Sequence, residues 1–429
     1  MKHVTTKSER DKIVIEAVVR RFGPLSRVGI HDMTNLRPST ISALVHELLT
    51  EDRLHEVGRS NNRMGRKQVL LQLNDQYKQV LGIEFDDETV LVTLTDLHPA
   101  IKSSLQEPAY LAGGSAGLIQ QLIDCTRKLL RRAKVDESDL IGLGIADPGL
   151  VDARNGVTLT STTIDFWKNI HLKEIFEKAF GVPVLVESKT RARAIAERVL
   201  GVGELVSDMA YVDYGAGIGA GLILEGRLVR GHGWSAGEFG HTHIVQDGPA
   251  CNCGSFGCLE ALIGATAVET KVKKAIAEGG RSSVTAASDG DNEKITIWKI
   301  LAAAAEGDKI CLAIAEQIQN YLGLGLANLV NLFNPSMIVL DRRLSLAGDN
   351  LLDQISRVIK RQALSQATEE LSVQFARLGN DAGVLGLALM ILERHFEIPA
   401  LKLPKFMIEA GHPSPAKTVV ASRTIRGRS

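Results

Sequence analysis

Apolar residues in ERDKIVIEAVVRRF (9–22) recur three and four positions apart, with Ile13 above Ala17 and Val14 above Val18, a spacing that predicts an amphipathic helix. Gly23-Pro24 ends it. Ser26 is placed to cap a second, short helix reaching Met33, Thr34-Asn35 forms a turn in which asparagine tolerates the left-handed conformation, and Pro38 opens a third helix running to about Leu49. On this third helix Ile41, Leu44, Val45 and Leu48 share one face, which leaves Ser39, Thr40, Ser42, Ala43 and His46 facing outward. Two β-like runs, 54–57 and 69–73, flank the turn-rich GRSNNRMGRK and read as a two-stranded wing whose tip carries Arg59, Arg63, Arg66 and Lys67. Helix, turn, helix and wing follow one another at the spacing used by DNA readers, with a short polar face for the major groove and cations for phosphates or the minor groove. A small structural helix bundle shares the spacing, but the basic wing favours DNA.

From Tyr77 the pattern changes to strands alternating with amphipathic helices. Residues 80–97 read as two strands around a turn, 118–133 as a helix, and 141–152 as a strand and loop. The scheme then repeats: 209–229 is a hairpin with a glycine-rich turn, and 318–340 is a helix followed by a buried strand. The expectation is an α/β body of two lobes with a cleft between them. Domain boundaries fall at 1–76 for the head, 77–200 and 201–395 for the lobes. Residues 396–429 contain Pro399, Pro404, Pro413 and Pro415 and end in a basic, acid-free run, so they are expected to form a disordered tail.

Charge sharpens the division. The 429 residues hold 50 Lys/Arg and 50 Asp/Glu, yet residues 1–74 carry 13 against 8, so the head is basic and the body acidic by the same amount. An anionic partner for the head alone follows. No apolar stretch approaches the roughly 20 residues needed to span a bilayer, and the polar N-terminus has no apolar core behind it, so a cytoplasmic location without membrane contact is expected.

Three of the five cysteines, Cys251, Cys253 and Cys258, crowd together shortly after two histidines in GHTHIVQDGPACNCGSFGCLE. Cys-x-Cys-x4-Cys with an upstream histidine offers the four soft or borderline ligands zinc prefers, and either His241 or His243 serves as the fourth. Four protein ligands leave no open position for water, so this zinc is structural. Cys125 and Cys311 lie in helical patterns as ordinary core residues.

GEFGHTHIVQDGPACNCGSFGCLE closely resembles the signature of the ROK family, whose members are sugar kinases of the actin-like (ribonuclease H-like) ATPase fold or transcriptional repressors with an added winged helix-turn-helix. The likeness runs from about 9 to 392, and the head points to the repressor branch, similar to the N-acetylglucosamine and xylose repressors. That resemblance makes His241 the fourth zinc ligand, and Glu238, His241 and Glu260 the holders of sugar hydroxyls. The chemistry agrees, because carboxylates accept paired hydrogen bonds from neighbouring hydroxyls.

Departures from the kinase pattern are specific. The kinases open with Asp-x-Gly-Gly-Thr at the ATP phosphates, whereas the matching positions here read Glu84-Phe85-Asp86-Asp87-Glu88. Carboxylates there repel phosphate. The catalytic Asp of Glu-Asn-Asp-Ala-Asn is replaced in Glu187-Ser188-Lys189-Thr190-Arg191, and an ammonium is no base for a sugar hydroxyl. Leu340-Asp341-Arg342-Arg343 stands where a glycine pair normally adjoins the nucleotide; only the glycine turn 215–221 survives, retained for folding. Ser188 and Lys189 thus face the effector in place of Asn and Asp. Lys189 points to an acidic sugar or sugar phosphate, or, alternatively, to an internal pair with Glu187 or Glu238 that closes the pocket. Asp165, Trp167 and Asn169 belong to the loop over the sugar, with Trp167 equally suited to the core.

The reading is a non-enzymatic transcription regulator, a repressor, that binds operator DNA as a homodimer or tetramer and responds to a carbohydrate-like effector. Two competitors remain: a sugar kinase with a regulatory DNA-binding head, and an effector-independent regulator controlled by a protein partner.

Overall fold

The computed structural model describes residues 6–60, 67–204, 206–348 and 350–397. These fall into two units, one formed by the residues up to Lys78 together with those from Leu392 onward, the other by Gln79–Ile391.

In the first unit, α1 (Lys7–Phe22), α2 (Arg27–Thr34) and α3 (Pro38–Thr50) pack beside a three-stranded sheet of order β1-β3-β2, with β1 Leu25–Ser26, β2 Leu54–Arg59 and β3 Val69–Leu73. Local chemistry sets the boundaries. The Gly29 amide donates to Ser26 Oγ at 3.1 Å, capping α2, and Asn35 ends it at φ 56°. The two-residue β1 is too short to leave a periodic signal, so the wing gains a strand beyond the pair expected. Ile41, Leu44, Val45 and Leu48 are buried on α3, while Ser39, Ser42, Ala43 and His46 are exposed and Thr40 is half-buried. Many of the unit's charges neutralise one another internally: Arg53 reaches the fully buried Glu16 at 2.6 Å, and Lys12 reaches Glu47 at 2.9 Å.

One boundary needs correction. Phe396, placed in the expected disordered tail, is buried, and the Arg20 guanidinium lies 5.3 Å from its ring centre. An aromatic ring at the end of an amphipathic helix has surface to bury, which the proline content after it conceals. The remainder of the tail, 398–429, lies outside the described residues.

The second unit contains two five-stranded sheets. β4 (Gln79–Phe85), β5 (Thr89–Thr95) and β6 (Ile101–Pro108) are followed by α4 (Gly114–Ala133), β7 (Leu140–Asp147), the small hairpin β8 (Leu150–Asp152) and β9 (Val157–Thr160), α5 (Leu172–Phe180), β10 (Val184–Ser188) and α6 (Lys189–Leu200). The second half runs β11 (Met209–Tyr214), β12 (Ile218–Leu224), β13 (Arg227–Leu228), α7 (Leu259–Ile263), α8 (Ala265–Ala277), α9 (Ile297–Ala305), α10 (Lys309–Phe333), β14 (Met337–Leu340), α11 (Asn350–Gln362), α12 (Ser365–Thr368), β15 (Ser372–Phe375) and α13 (Ala382–His395).

The sheets have orders β6-β5-β4-β7-β10 and β13-β12-β11-β14-β15. In both, the first three strands form an antiparallel meander and the last two join in parallel. The same topology therefore occurs twice, as in the two-lobed actin-like fold. The chain crosses at α6, which leaves the first sheet and packs on the second: a Cβ on Gly221 of β12 would stand 2.4 Å from the Ala194 Cβ. This close approach leaves no room for a side chain at that position. α13 returns to the first lobe, where Leu387 clusters with Ala146 of β7 and Ala192 of α6. Among the described residues no helix is long and apolar enough to cross a membrane.

Candidate functional site

A cavity of about 580 Å³ opens between the lobes. It is lined from the first lobe by the turn after β4 and the 160–168 loop, and from the second by the start of β12, the Gly237–Glu238 segment and α7. Gly237 fixes the approach of Glu238: its φ is +95°, and a Cβ there would lie 1.9 Å from the Ala220 carbonyl oxygen. Only glycine fits. Glu260, on the first turn of α7, accepts from the Ile218 amide at 2.9 Å with Oε2. Burial raises the carboxyl pKa of both Glu238 and Glu260, with the nearby His241 opposing the rise at each.

Behind these residues His241, Cys251, Cys253 and Cys258 converge, their ligand atoms all within 4.8 Å of one another. Cys253 Sγ and Cys258 Sγ are 3.8 Å apart, and Cys251 Sγ is 3.6 Å from His241 Nδ1. A tetrahedral ion with metal–sulfur bonds of about 2.3 Å requires edges of about 3.8 Å, so the separations suit a zinc-sized ion and rule out a disulfide. The cluster takes His241 in preference to His243, which is exposed and whose backbone bridges Cys258 instead. With Nδ1 directed at Cys251, His241 turns Nε2 toward Glu238, 3.9 Å from Oε2. The cluster and the pocket therefore share one imidazole, and Cys258 is the N-cap residue of the helix that carries Glu260.

The opposite end of the cleft is built differently. Glu84 and Asp213 are the penultimate residues of β4 and β11, equivalent positions in the two lobes. Arg193 joins them: it donates to Glu84, meets Asp213 at 3.0 Å, and lies 3.8 Å from Asp341. Lys189, one helical turn earlier, spans Asp86 at 3.4 Å and Asp213 at 3.8 Å. Burial opposes ionisation of Asp86, but the Lys189 charge and two backbone donors outweigh it and hold the carboxyl below its usual range. For Asp213 burial is likewise overcome, by Arg193, Lys189 and Arg343, and its pKa falls.

Arg191 lies on the other side of α6. It donates to Glu187 at 2.7 Å, to the Trp234 carbonyl at 2.7 Å and to the Val151 carbonyl at 3.3 Å, so it also connects both lobes. Arg343 pairs with Asp341 at 2.8 Å and lies 4.2 Å from the Trp298 ring centre, beside the glycine turn.

A ROK family model matches residues 91–394. The chain belongs to the ROK family. The xylose repressor of Caldicellulosiruptor bescii is 28% identical over 92% of this chain and 98% of that protein. The crystal structure of a ROK family transcriptional regulator, a homologue of the Escherichia coli MLC protein, superposes with a TM-score of 0.75 at 27% identity, covering 90% of this chain and 96% of that one. A ROK glucokinase from Streptomyces griseus, solved with glucose and AMPPNP, gives a TM-score of 0.65 at 27% identity and covers 73% of this chain against 98% of its own. ROK regulators match over nine tenths of the chain and the ROK kinase over 73% of it, so the chain is a ROK-type transcriptional regulator.

Against the ROK pattern, the residues expected at the effector end lie together: Glu238, His241, Glu260 and Ser188 all line the cavity. Lys189 lines it as well, but its partners are Asp86 and Asp213, neither of the two acids expected, because Glu187 is already taken by Arg191 and by Arg230 at 2.8 Å. Trp167 is a core residue, fully buried against Phe85 and donating to Asp147 at 2.8 Å. Asp165 lines the pocket, whereas Asn169 does not. In the head, Arg59 and Lys67 are exposed at the two ends of the wing hairpin; Arg63 and Arg66 lie outside the described residues. Arg193, Arg191 and Arg343 are the bridging residues that motif comparison alone passes over, although the run of basic residues in KTRAR at the start of a helix is a visible signal.

Proposed function

We propose that this ROK regulator is a repressor that binds operator DNA through α3 and its wing as a homodimer and releases it when a carbohydrate enters the cleft. Ser39, Thr40, Ser42 and His46 read the major groove, and Arg59, Arg63, Arg66 and Lys67 hold the wing to the backbone. A structural zinc on His241, Cys251, Cys253 and Cys258 braces the loop that carries Glu238 and Glu260, which accept the sugar hydroxyls. Four protein ligands leave the zinc no open position, so it supplies rigidity and no hydrolytic chemistry. To change operator affinity, the effector must bind one lobe arrangement better than the other.

One observation carries this reading: at one end of the cavity Glu238 and Glu260 lie beside His241 with no lysine or arginine ion pair among the described residues, while at the other Asp86 and Asp213 are paired with the protein's own Lys189 and Arg193. No phosphoryl transfer is expected from such a cleft, which disfavours a kinase with a regulatory head. Glu238→Gln and Glu260→Gln should each abolish inducer-triggered release while leaving operator affinity within about twofold of wild type, since neither belongs to the head. A gel-shift titration with and without inducer measures this; full induction in both variants would place the effector elsewhere.

A further inference from the structure

Charged side chains around the cavity are unevenly matched. Among the described residues, eight carboxylates and four cations line it. Three of the cations are held by the protein itself: Lys189 by Asp86 and Asp213, Arg191 by Glu187, and Arg343 by Asp341. The fourth, Lys168, is exposed. Against them, Asp87, Glu88, Glu260 and Glu269 form no ion pair among the described residues. They come from both walls: Asp87 and Glu88 from the turn between β4 and β5, Glu260 from α7 and Glu269 from α8. Burial and the neighbouring Asp86 and Asp87 disfavour ionisation of Glu88, with Arg343 opposing, and burial does the same at Glu269, with the Ile297 amide and Lys273 opposing.

An anionic ligand entering this space would meet surplus carboxylates and, among the described residues that line it, no disengaged cation beyond one exposed lysine. Recruiting Lys189 would take the ion-pair partner of the half-buried Asp86, and recruiting Arg343 the nearer partner of the buried Asp341, leaving Arg193 alone to offset Asp213 or Asp341. A hydroxyl, in contrast, donates to a carboxylate at no electrostatic cost, and an ammonium does so with charge assistance.

We infer that the cleft selects sugars by charge: it admits neutral sugars, favours those bearing an ammonium group, and excludes phosphorylated and acidic ones. This rests on the cleft being the effector site, as proposed above, and it reverses the expectation that Lys189 attracts an acidic sugar or sugar phosphate. The cation that suggested an anion is spent within the protein.

The test uses the full chain, loaded with zinc, and calorimetric titration with matched series on gluco, manno and galacto rings: the parent hexose, its 2-amino form at a pH that keeps the amine protonated, its 6-phosphate and its uronic acid. On whichever ring binds, the amino form is expected to bind at least as tightly as the parent, and the phosphate and uronate at least about tenfold more weakly, a difference of about 1.4 kcal/mol. Tighter binding of the phosphate or uronate than of the parent would overturn the inference while leaving the carbohydrate reading standing. Binding of no sugar in any form would overturn both. The double variant Asp87→Asn, Glu88→Gln should narrow the gap between phosphate and parent by at least about threefold; an unchanged ratio would remove these residues from the selectivity and overturn their assignment.

Discussion

The two ends of the cleft descend from the same repeated topology, yet they hold charge in opposite ways. At the end near α7, Glu238 and Glu260 are left without an ion-paired lysine or arginine and are backed by a cysteine–histidine cluster that shares His241 with the cavity. Where the two first hairpins meet, cations bridge the acids: Arg193 spans Glu84 and Asp213, Lys189 spans Asp86 and Asp213, and Arg343 covers Asp341. Both ends line the one cavity, the first with acids that lack a lysine or arginine partner among the described residues, the second with acids paired to the protein's own cations. The lesson is that one guanidinium between carboxylates of the two lobes neutralises buried charge that neither lobe offsets alone.

The comparison breaks first if the cluster is not a zinc site. Chelation, or Cys258→Ser, should unfold the 241–258 loop, with a loss approaching the roughly 10 kcal/mol that structural zinc contributes in finger peptides, and should eliminate sugar binding while operator affinity of the head persists. Metal analysis of the purified protein and thermal melts before and after chelation measure this. Absence of stoichiometric zinc, or a melt unmoved by chelator, contradicts the first half of the comparison.

The second end is tested by Arg193→Met. Removing the guanidinium leaves Glu84, Asp213 and Asp341 buried with too little positive charge, an imbalance expected to cost about 3–5 kcal/mol. Denaturant unfolding followed by a probe in the body should show the change. A loss below about 1 kcal/mol would mean that the bridge is incidental to lobe cohesion.

Much of this arrangement is legible in the sequence. The head is read from helical spacing, the Ser26 cap and the Asn35 turn, all of which depend on residues close in the chain. The cluster is read because three of its ligands fall within eight positions. Motif comparison also finds that the phosphate cradle and the catalytic base are gone. It does not find what replaced them, because the partners of Arg193 come from residues 84, 213 and 341, and no local pattern links segments so far apart. Lys189 misleads for the same reason: its charge is visible in the sequence, but its engagement by Asp86 and Asp213 is a property of the fold. Phe396 is hidden by the prolines that follow it, although the ring is anchored by Arg20 near the other end of the chain.

The most direct test of the central claim, that this ROK cleft has kept sugar recognition and does not bind nucleotide, is calorimetric titration of the zinc-loaded full chain with magnesium and AMPPNP, with a binding sugar present and absent. The account predicts no saturable heat at millimolar nucleotide under either condition. Stoichiometric nucleotide binding beside the Asp86–Glu88 turn would contradict it.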